Sequence, residues 1–134
     1  MITSAMCLAM AIYYETRNEV SPDAGLAVAE VIINRVEDKR WPDSVCAVIK
    51  QDNGPKKHDC QFSFYCDGKP ERPKHKEAWR RAQDQAADAL NGDLLGHGAL
   101  YYHADYARPI WRHKLDRLGK IGKHIFYTDK ELLT

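Results

Sequence analysis

Two stretches of this chain, SAMCLAMAIYY (residues 4–14) and AGLAVAEVIINRV (residues 24–36), are apolar on nearly every face a helix would present. Helices of that kind do not lie on a surface with one side in water, so both are expected to be buried. The whole chain has 134 residues, enough for one domain with a single core. Two buried helices in so short a chain must pack on each other, and the other elements must cover them. The expectation is a single, mostly helical domain over residues 1–134, with the first helix at its centre.

Local signals set the boundaries. Thr3 and Ser4 are candidate N-caps for a helix from Ala5 to about Glu15. Ser21-Pro22-Asp23 reads as cap, first-turn proline and dipole-matching acid for the second helix. Trp41-Pro42-Asp43-Ser44 then caps a short third helix through about Lys50. Residues 51–59, with Asn53-Gly54-Pro55, read as a loop. QFSFYCDG, residues 61–68, alternates aromatics before an Asp67-Gly68 turn and reads as a short strand or irregular hairpin. After a Pro- and Lys-rich connection, a long helix is expected from about His75 to Asn91. Trp79, Ala82, Ala86, Ala89 and Leu90 fall near helical spacing there, and Asn91-Gly92 closes it as a left-handed C-cap. The last third differs, with the aromatic-rich ALYYHADYARPIWR and the β-prone KIGKHIFYTD. The fold class is therefore α+β, mostly helical, with small extended elements flanking a groove.

Composition excludes several functions. The formal net charge is +1, so no nucleic-acid partner held mainly by charge is expected. Lys56, Lys57, Lys69, Lys74 and Lys76 form a basic stretch, either a solvated loop or a weak attraction for an anionic polymer. The apolar run from Ala5 to Tyr14 is about half of the roughly 20 residues a membrane span needs. No positive segment precedes it and no clear small-residue cleavage site follows, so it does not read as a signal peptide. Taken literally, the chain is made in the cytoplasm, unless a leader has been trimmed. The cysteines, Cys7, Cys46, Cys60 and Cys66, allow three pairings, of which Cys60 with Cys66 would staple a short segment. Cys7, in its apolar run, reads by itself as a small buried hydrophobe. His58, Cys60, Cys66 and His75 lack a CxxC or HxxxH core, so no metal or other cofactor is expected.

The chemistry centres on Glu15, a carboxylate where the first apolar run stops. Desolvation and the negative end of the helix dipole both disfavour its charged form, which suits a general acid near neutral pH. The competing reading is structural, with Glu15 paired to Arg17 or capping nearby backbone. Glu30, on the second apolar helix, reads as the buried partner of an Arg or Lys. Phe62, Phe64, Tyr65, Tyr101, Tyr102, Tyr106 and Trp111 are interleaved with Gln61, Ser63, Asp67, His103 and Arg108. Sugar clefts use that mixture, because pyranose rings offer apolar faces and hydroxyl rims. Phe62 and Phe64 also fit an ordinary core, and His103 alone fits a satisfied core histidine.

Read together, CLAMAIYYETRNE, AGLAVAEVIINRV, WPDSVCAVI, QFSFYCDG, GALYYHADYARPIW and IGKHIFY resemble, in order, the SleB-like family of cell wall hydrolases. The resemblance spans nearly the whole chain. It implies a lysozyme-like domain acting on the MurNAc–GlcNAc backbone of peptidoglycan, several members being lytic transglycosylases that close a 1,6-anhydro ring. It also implies that Glu15 is the catalytic acid, the first glutamate of the family's E-A-R-G-E block, and that Glu19 matches the second. Thr16 and Asn18 replace the block's Ala and Gly, and Asn18 would restore the turn by taking the left-handed conformation. Gln61, Phe62 and Ser63 match the family's QFS segment, and Tyr102, His103, Pro109 and Trp111 its late aromatic block. Tyr106 lies within that block and joins the substrate-binding set.

A single-acid lytic route needs only Glu15. A hydrolytic muramidase would need a second carboxylate, for which Glu19 and Asp67 are the candidates. The rivals are a wall-binding module without catalysis and a zinc amidase. The expected partner is the peptidoglycan glycan strand, met by a monomer without membrane insertion. A free catalytic domain of this size resembles a phage endolysin released through holin-made holes, while a bacterial wall-remodelling enzyme fits nearly as well. Four cysteines lean towards an oxidising space such as the periplasm.

Overall fold

The structure is a computed structural model that describes residues 3–19, 21–51 and 73–129. The expectations for Gln61, Phe62, Ser63, Asp67 and the Cys60–Cys66 pairing lie outside the described residues.

Helix α1, Ser4–Thr16, is the centre of the domain. The Thr3 hydroxyl accepts from the Met6 N–H at 3.1 Å and caps its start. Cys7, Leu8, Ala9, Ala11, Ile12 and Tyr13 are all buried, so the all-round apolar pattern is met by neighbours on several sides. Those neighbours are α2 (Ala24–Val36), α3 (Val45–Lys50) and α4 (Lys76–Leu90). Ser44 caps α3 through its hydroxyl, as expected from the sequence. The start of α2 is different: Ser21 and Pro22 form a preceding turn, Asp23 occupies the N-cap, and the helix begins at Ala24. At Gly25 a Cβ would overlap the Gln85 side chain, so this glycine lets α2 and α4 approach closely.

Unlike α1, α4 is two-faced, with Ala78, Ala82, Ala86 and Ala89 buried. Leu90, expected on that apolar face, is 42% exposed. The His75 ring caps α4 by accepting from the Ala78 N–H, and Gly92, with φ of +92°, supplies the left-handed stop. The Tyr13 hydroxyl accepts from the N–H groups of Lys74 and His75 at 3.1 and 3.0 Å. The central helix thereby satisfies two orphan donors where the chain enters α4.

Three short strands, β1 (Tyr101–Ala104), β2 (Asp116–Ile121) and β3 (His124–Thr128), make an antiparallel sheet in the order β1-β3-β2. A 3-10 turn, Ile110–Lys114, joins β1 to β2. Tyr102 stands opposite Phe126, and Tyr101 opposite Tyr127. Gly122 and Lys123 form the β2–β3 turn, and Gly122 has φ of +58°. Among the described residues no helix is long and apolar enough to cross a membrane.

Two expectations about buried groups are corrected. Cys7 is bonded to Cys46, fixing α1 to α3 across a separation of 39 residues. Among the described residues Glu30 does not pair with an Arg or Lys. Its oxygens accept from the N–H groups of Gly96 and Gly98 at 2.8 and 3.0 Å, with His97 Nδ1 at 3.4 Å. Backbone donors in a glycine-rich loop serve the buried carboxylate as well as a cation would. Closing a loop of 39 residues is worth about 4 kcal/mol in the chain-entropy account. Reduction by a phosphine is therefore expected to lower the melting temperature by about 12 °C. An unchanged melting temperature, read by circular dichroism, would refute a stabilising role for this bond.

Candidate active site

The site forms where α1 ends beside the sheet. Glu15 sits in the last turn of α1, so the helix dipole presents its negative end there. The residue as a whole is half-buried, while its carboxyl group is largely withdrawn from water. Desolvation raises its pKa from 4.5 to about 7, and a hydrogen bond from Tyr102 opposes that rise. Tyr102 lies on β1, and burial, followed by the Glu15 charge, pushes its phenol well above the ordinary value. The phenol therefore stays protonated and donates to Glu15.

The structural alternative for Glu15 is not realised in its simplest form. The Arg17 guanidinium lies over the rings of Tyr13 and Tyr14, at 5.8 and 5.6 Å from their centroids. Among the described residues Glu15 has no ion-pair partner. It lines a cavity of about 340 Å³ with Tyr14, Asn18, Glu19, Tyr106 and His124. Tyr106 is 85% exposed, so this wall has an aromatic face free to meet a ligand.

Glu19 is differently placed. Both of its oxygens accept from the Lys123 N–H at 3.0 Å, and Oε1 lies 2.8 Å from His124 Nδ1. A Cβ on Gly122 would overlap this carboxylate, so the glycine makes room for the contact as well as turning the chain. Burial pushes the His124 imidazole below its ordinary value, against the pull of Glu19. The turn between the two acids does not use a left-handed Asn18, since no described non-glycine residue has positive φ. Instead, the Glu19 N–H donates to the Thr16 carbonyl at 3.0 Å. The missing glycine of the family block is thus accommodated by ordinary backbone geometry.

The remaining aromatic candidates divide. Tyr102 and Trp111 line a second cavity, of about 580 Å³, together with Arg35, Trp41, Tyr101 and Lys114. Tyr102 also bonds Glu15, so this cavity and the acid share one side chain. His103 lines neither cavity. It is buried, with Nδ1 2.7 Å from the Ala104 carbonyl and Nε2 2.7 Å from the Tyr127 hydroxyl, the satisfied arrangement of a core histidine. Sequence reasoning did not single out Arg35 or Trp41. The available signal was a basic residue in the last turn of an otherwise apolar helix.

These features define a class: a lysozyme-like α+β domain with a desolvated acid at the end of its central helix, facing a groove walled by aromatics. The chain belongs to the cell wall hydrolase family, whose sequence model matches residues 20–127, starting just after Glu19. A spore cortex-lytic enzyme of Oceanobacillus iheyensis is 34% identical over 125 residues, covering 89% of this chain and 39% of that protein. One from Halalkalibacterium halodurans is 37% identical over 121 residues, covering 89% and 33%. The chain thus spans between a third and two-fifths of the length of these two relatives. The catalytic domain of the germination-specific lytic transglycosylase SleB from Bacillus anthracis is similar in structure. It superposes with a TM-score of 0.73 at 33% identity, covering 93% of each chain. The catalytic domain of Bacillus cereus SleB gives a TM-score of 0.74 at 31% identity, covering 93% of this chain and 89% of that one.

Proposed function

We propose that this protein cleaves the glycan strands of peptidoglycan between MurNAc and GlcNAc as a lytic transglycosylase, with Glu15 as general acid and then base. The observation that carries this reading is the Glu15 carboxyl, lifted to about 7 without an ion-pair partner among the described residues and held by the Tyr102 hydroxyl. Near neutral pH a useful fraction is protonated, as proton donation to a glycosidic oxygen requires. The C1–O bond of MurNAc then breaks through an oxocarbenium-like state, and GlcNAc leaves with the Glu15 proton. The carboxylate left behind takes the proton of the MurNAc C6 hydroxyl, whose oxygen closes onto C1. Glu15 is thereby reprotonated, and no water is consumed.

A hydrolytic muramidase would require a second carboxylate, about 5–5.5 Å from the first for retention or about 6.5–9.5 Å for inversion. We read Glu19 as an anchor and not as that group, because its oxygens are engaged by Lys123 and His124. We assign the protein's work to the cell wall, outside the cytoplasmic membrane, where the Cys7–Cys46 bond would persist. Holin-made holes would be the route for a phage-encoded form. Digestion of peptidoglycan in heavy-oxygen water, followed by mass spectrometry, tests the reaction. Unlabelled 1,6-anhydro-MurNAc ends are expected. Labelled reducing-end MurNAc would replace this reading with the muramidase, and intact strands would favour a wall-binding module.

A further inference from the structure

The larger cavity holds a cation that has no counter-charge among the described residues. Arg35 is 5% exposed. A buried guanidinium is costly unless an anion or enough acceptors compensate it. Its Nε donates to the Leu100 carbonyl at 2.8 Å, and its charge lies 5.1 Å from the Trp41 ring centroid and 5.6 Å from that of Tyr101. Four further N–H donors belong to such a group. No carboxylate lies within ion-pair distance of it among the described residues. The charged groups nearby take other partners: Arg40 is bound to Asp38 and Asp129.

The same cavity contains a second cation and a second unused polar group. Lys114 is exposed at its edge, and among the described residues no acid lines the cavity. The Gln51 Oε1 atom, also in the lining side chains, is buried without a hydrogen-bond partner. Trp41, Tyr101 and Trp111 supply apolar walls, and about 580 Å³ lies within the range of small-ligand sites. A matching ligand is anionic at one end and has an apolar face at the other.

We infer that this cavity is a subsite for the carboxylate-bearing branch of muramic acid, seated on Arg35 and Lys114 with its sugar ring against Trp111 and Tyr101. The inference rests on the proposed glycan substrate and sharpens it. Of the two alternating sugars, only muramic acid carries a lactyl branch, so the cavity distinguishes them by charge. Because Tyr102 bonds Glu15 and lines the cavity, the subsite fixes which sugar lies beside the acid. The anion is either the lactyl carboxylate of a peptide-free residue or a carboxylate of the stem peptide. Both present the same planar group to the guanidinium fork.

Binding of monosaccharides tests this without any bond being cut. Wild-type protein is titrated with N-acetylmuramic acid, its lactyl methylamide, N-acetylglucosamine and an N-acetylmuramoyl dipeptide ending in a free carboxylate, with tryptophan fluorescence as the readout. The acid is expected to bind about ten-fold or more tightly than methylamide and N-acetylglucosamine, as a charge-assisted pair would give. Preference confined to the free acid assigns the site to the lactyl carboxylate, and preference confined to the dipeptide assigns it to the stem. The preference should shrink in Lys114→Met and largely vanish in Arg35→Lys, which keeps the charge but loses the fork. If Arg35→Lys melts early, Lys114→Met, on an exposed residue, carries the comparison alone. Equal affinity for acid, dipeptide and methylamide in the wild type, or a preference that the variants leave intact, overturns the subsite. Glycan cleavage by the same wild-type sample is scored separately, so failure of the proposed reaction is distinguished from failure of the subsite.

Discussion

Glu15→Gln is expected to lower glycan cleavage by about a hundred- to ten-thousand-fold, the usual contribution of a general acid, while the fold is kept. The amide has the shape of the acid and can still accept from the Tyr102 hydroxyl, so only the proton is removed. Turnover within ten-fold of the parent would refute the assignment. In the parent, kcat/KM is expected to fall as pH rises through about 7, where Glu15 loses its proton. The same shift has a stability consequence of definite sign. The folded pKa is raised above the ordinary 4.5, so stability linked to this group is fully present below pH 4.5 and is lost as pH climbs through about 7. Over that interval, at about 1.4 kcal/mol per pH unit, the loss is about 3 kcal/mol. Gln cannot ionise, so the inactive variant should outlast the parent in a urea melt at pH 8, with little difference at pH 4.5. An activity loss joined to an alkaline stability gain is a pair that mere misfolding could not produce.

Glu30→Ala is the change expected to cost the fold most. Glu30 is 2% exposed, and its truncation removes the acceptor that holds the N–H groups of Gly96 and Gly98. Two hydrogen bonds to a charged group amount to about 4 kcal/mol. The melting temperature should drop by about 12 °C for a chain of this size. Glu30→Gln keeps one acceptor and should lose less. A melting temperature within 2–3 °C of the parent in Glu30→Ala, beneath what even one lost bond should give, would mean that water replaces the carboxylate. The glycine loop leads directly into β1, so this carboxylate supports the strand that carries Tyr102.

What could be read from the sequence followed from patterns that act locally. The apolar runs identified α1 and α2 as interior helices, Ser44 marked the start of α3, and Gly92 marked the end of α4. Glu15 was legible because it ends an apolar run, and burial is the physical cause of its raised pKa. Features depending on distant partners were not. Nothing near Glu15 in the chain points to Tyr102. Glu30 was misassigned because backbone donors leave no residue-type signature, whereas a Lys or Arg partner does. Cys7 had three formal partners, and only the packing of α1 on α3 selects Cys46. Arg35 was overlooked for the same reason, since no local pattern announces that it lacks an ion-pair partner among the described residues.

The helix that bears the acid is tied down at both ends. Near its start the Cys7–Cys46 bond holds it to α3, and just past its end Glu19 grips the Lys123 amide in the hairpin turn. Between those ties, Tyr13 is committed to the entry of α4. Glu15 therefore has little freedom to search for its substrate. As the proposed donor, Glu15 is preorganised, and the reorganisation that would otherwise accompany proton transfer has been met during folding. In the proposed reaction, the glycan strand would come into register with a stationary proton.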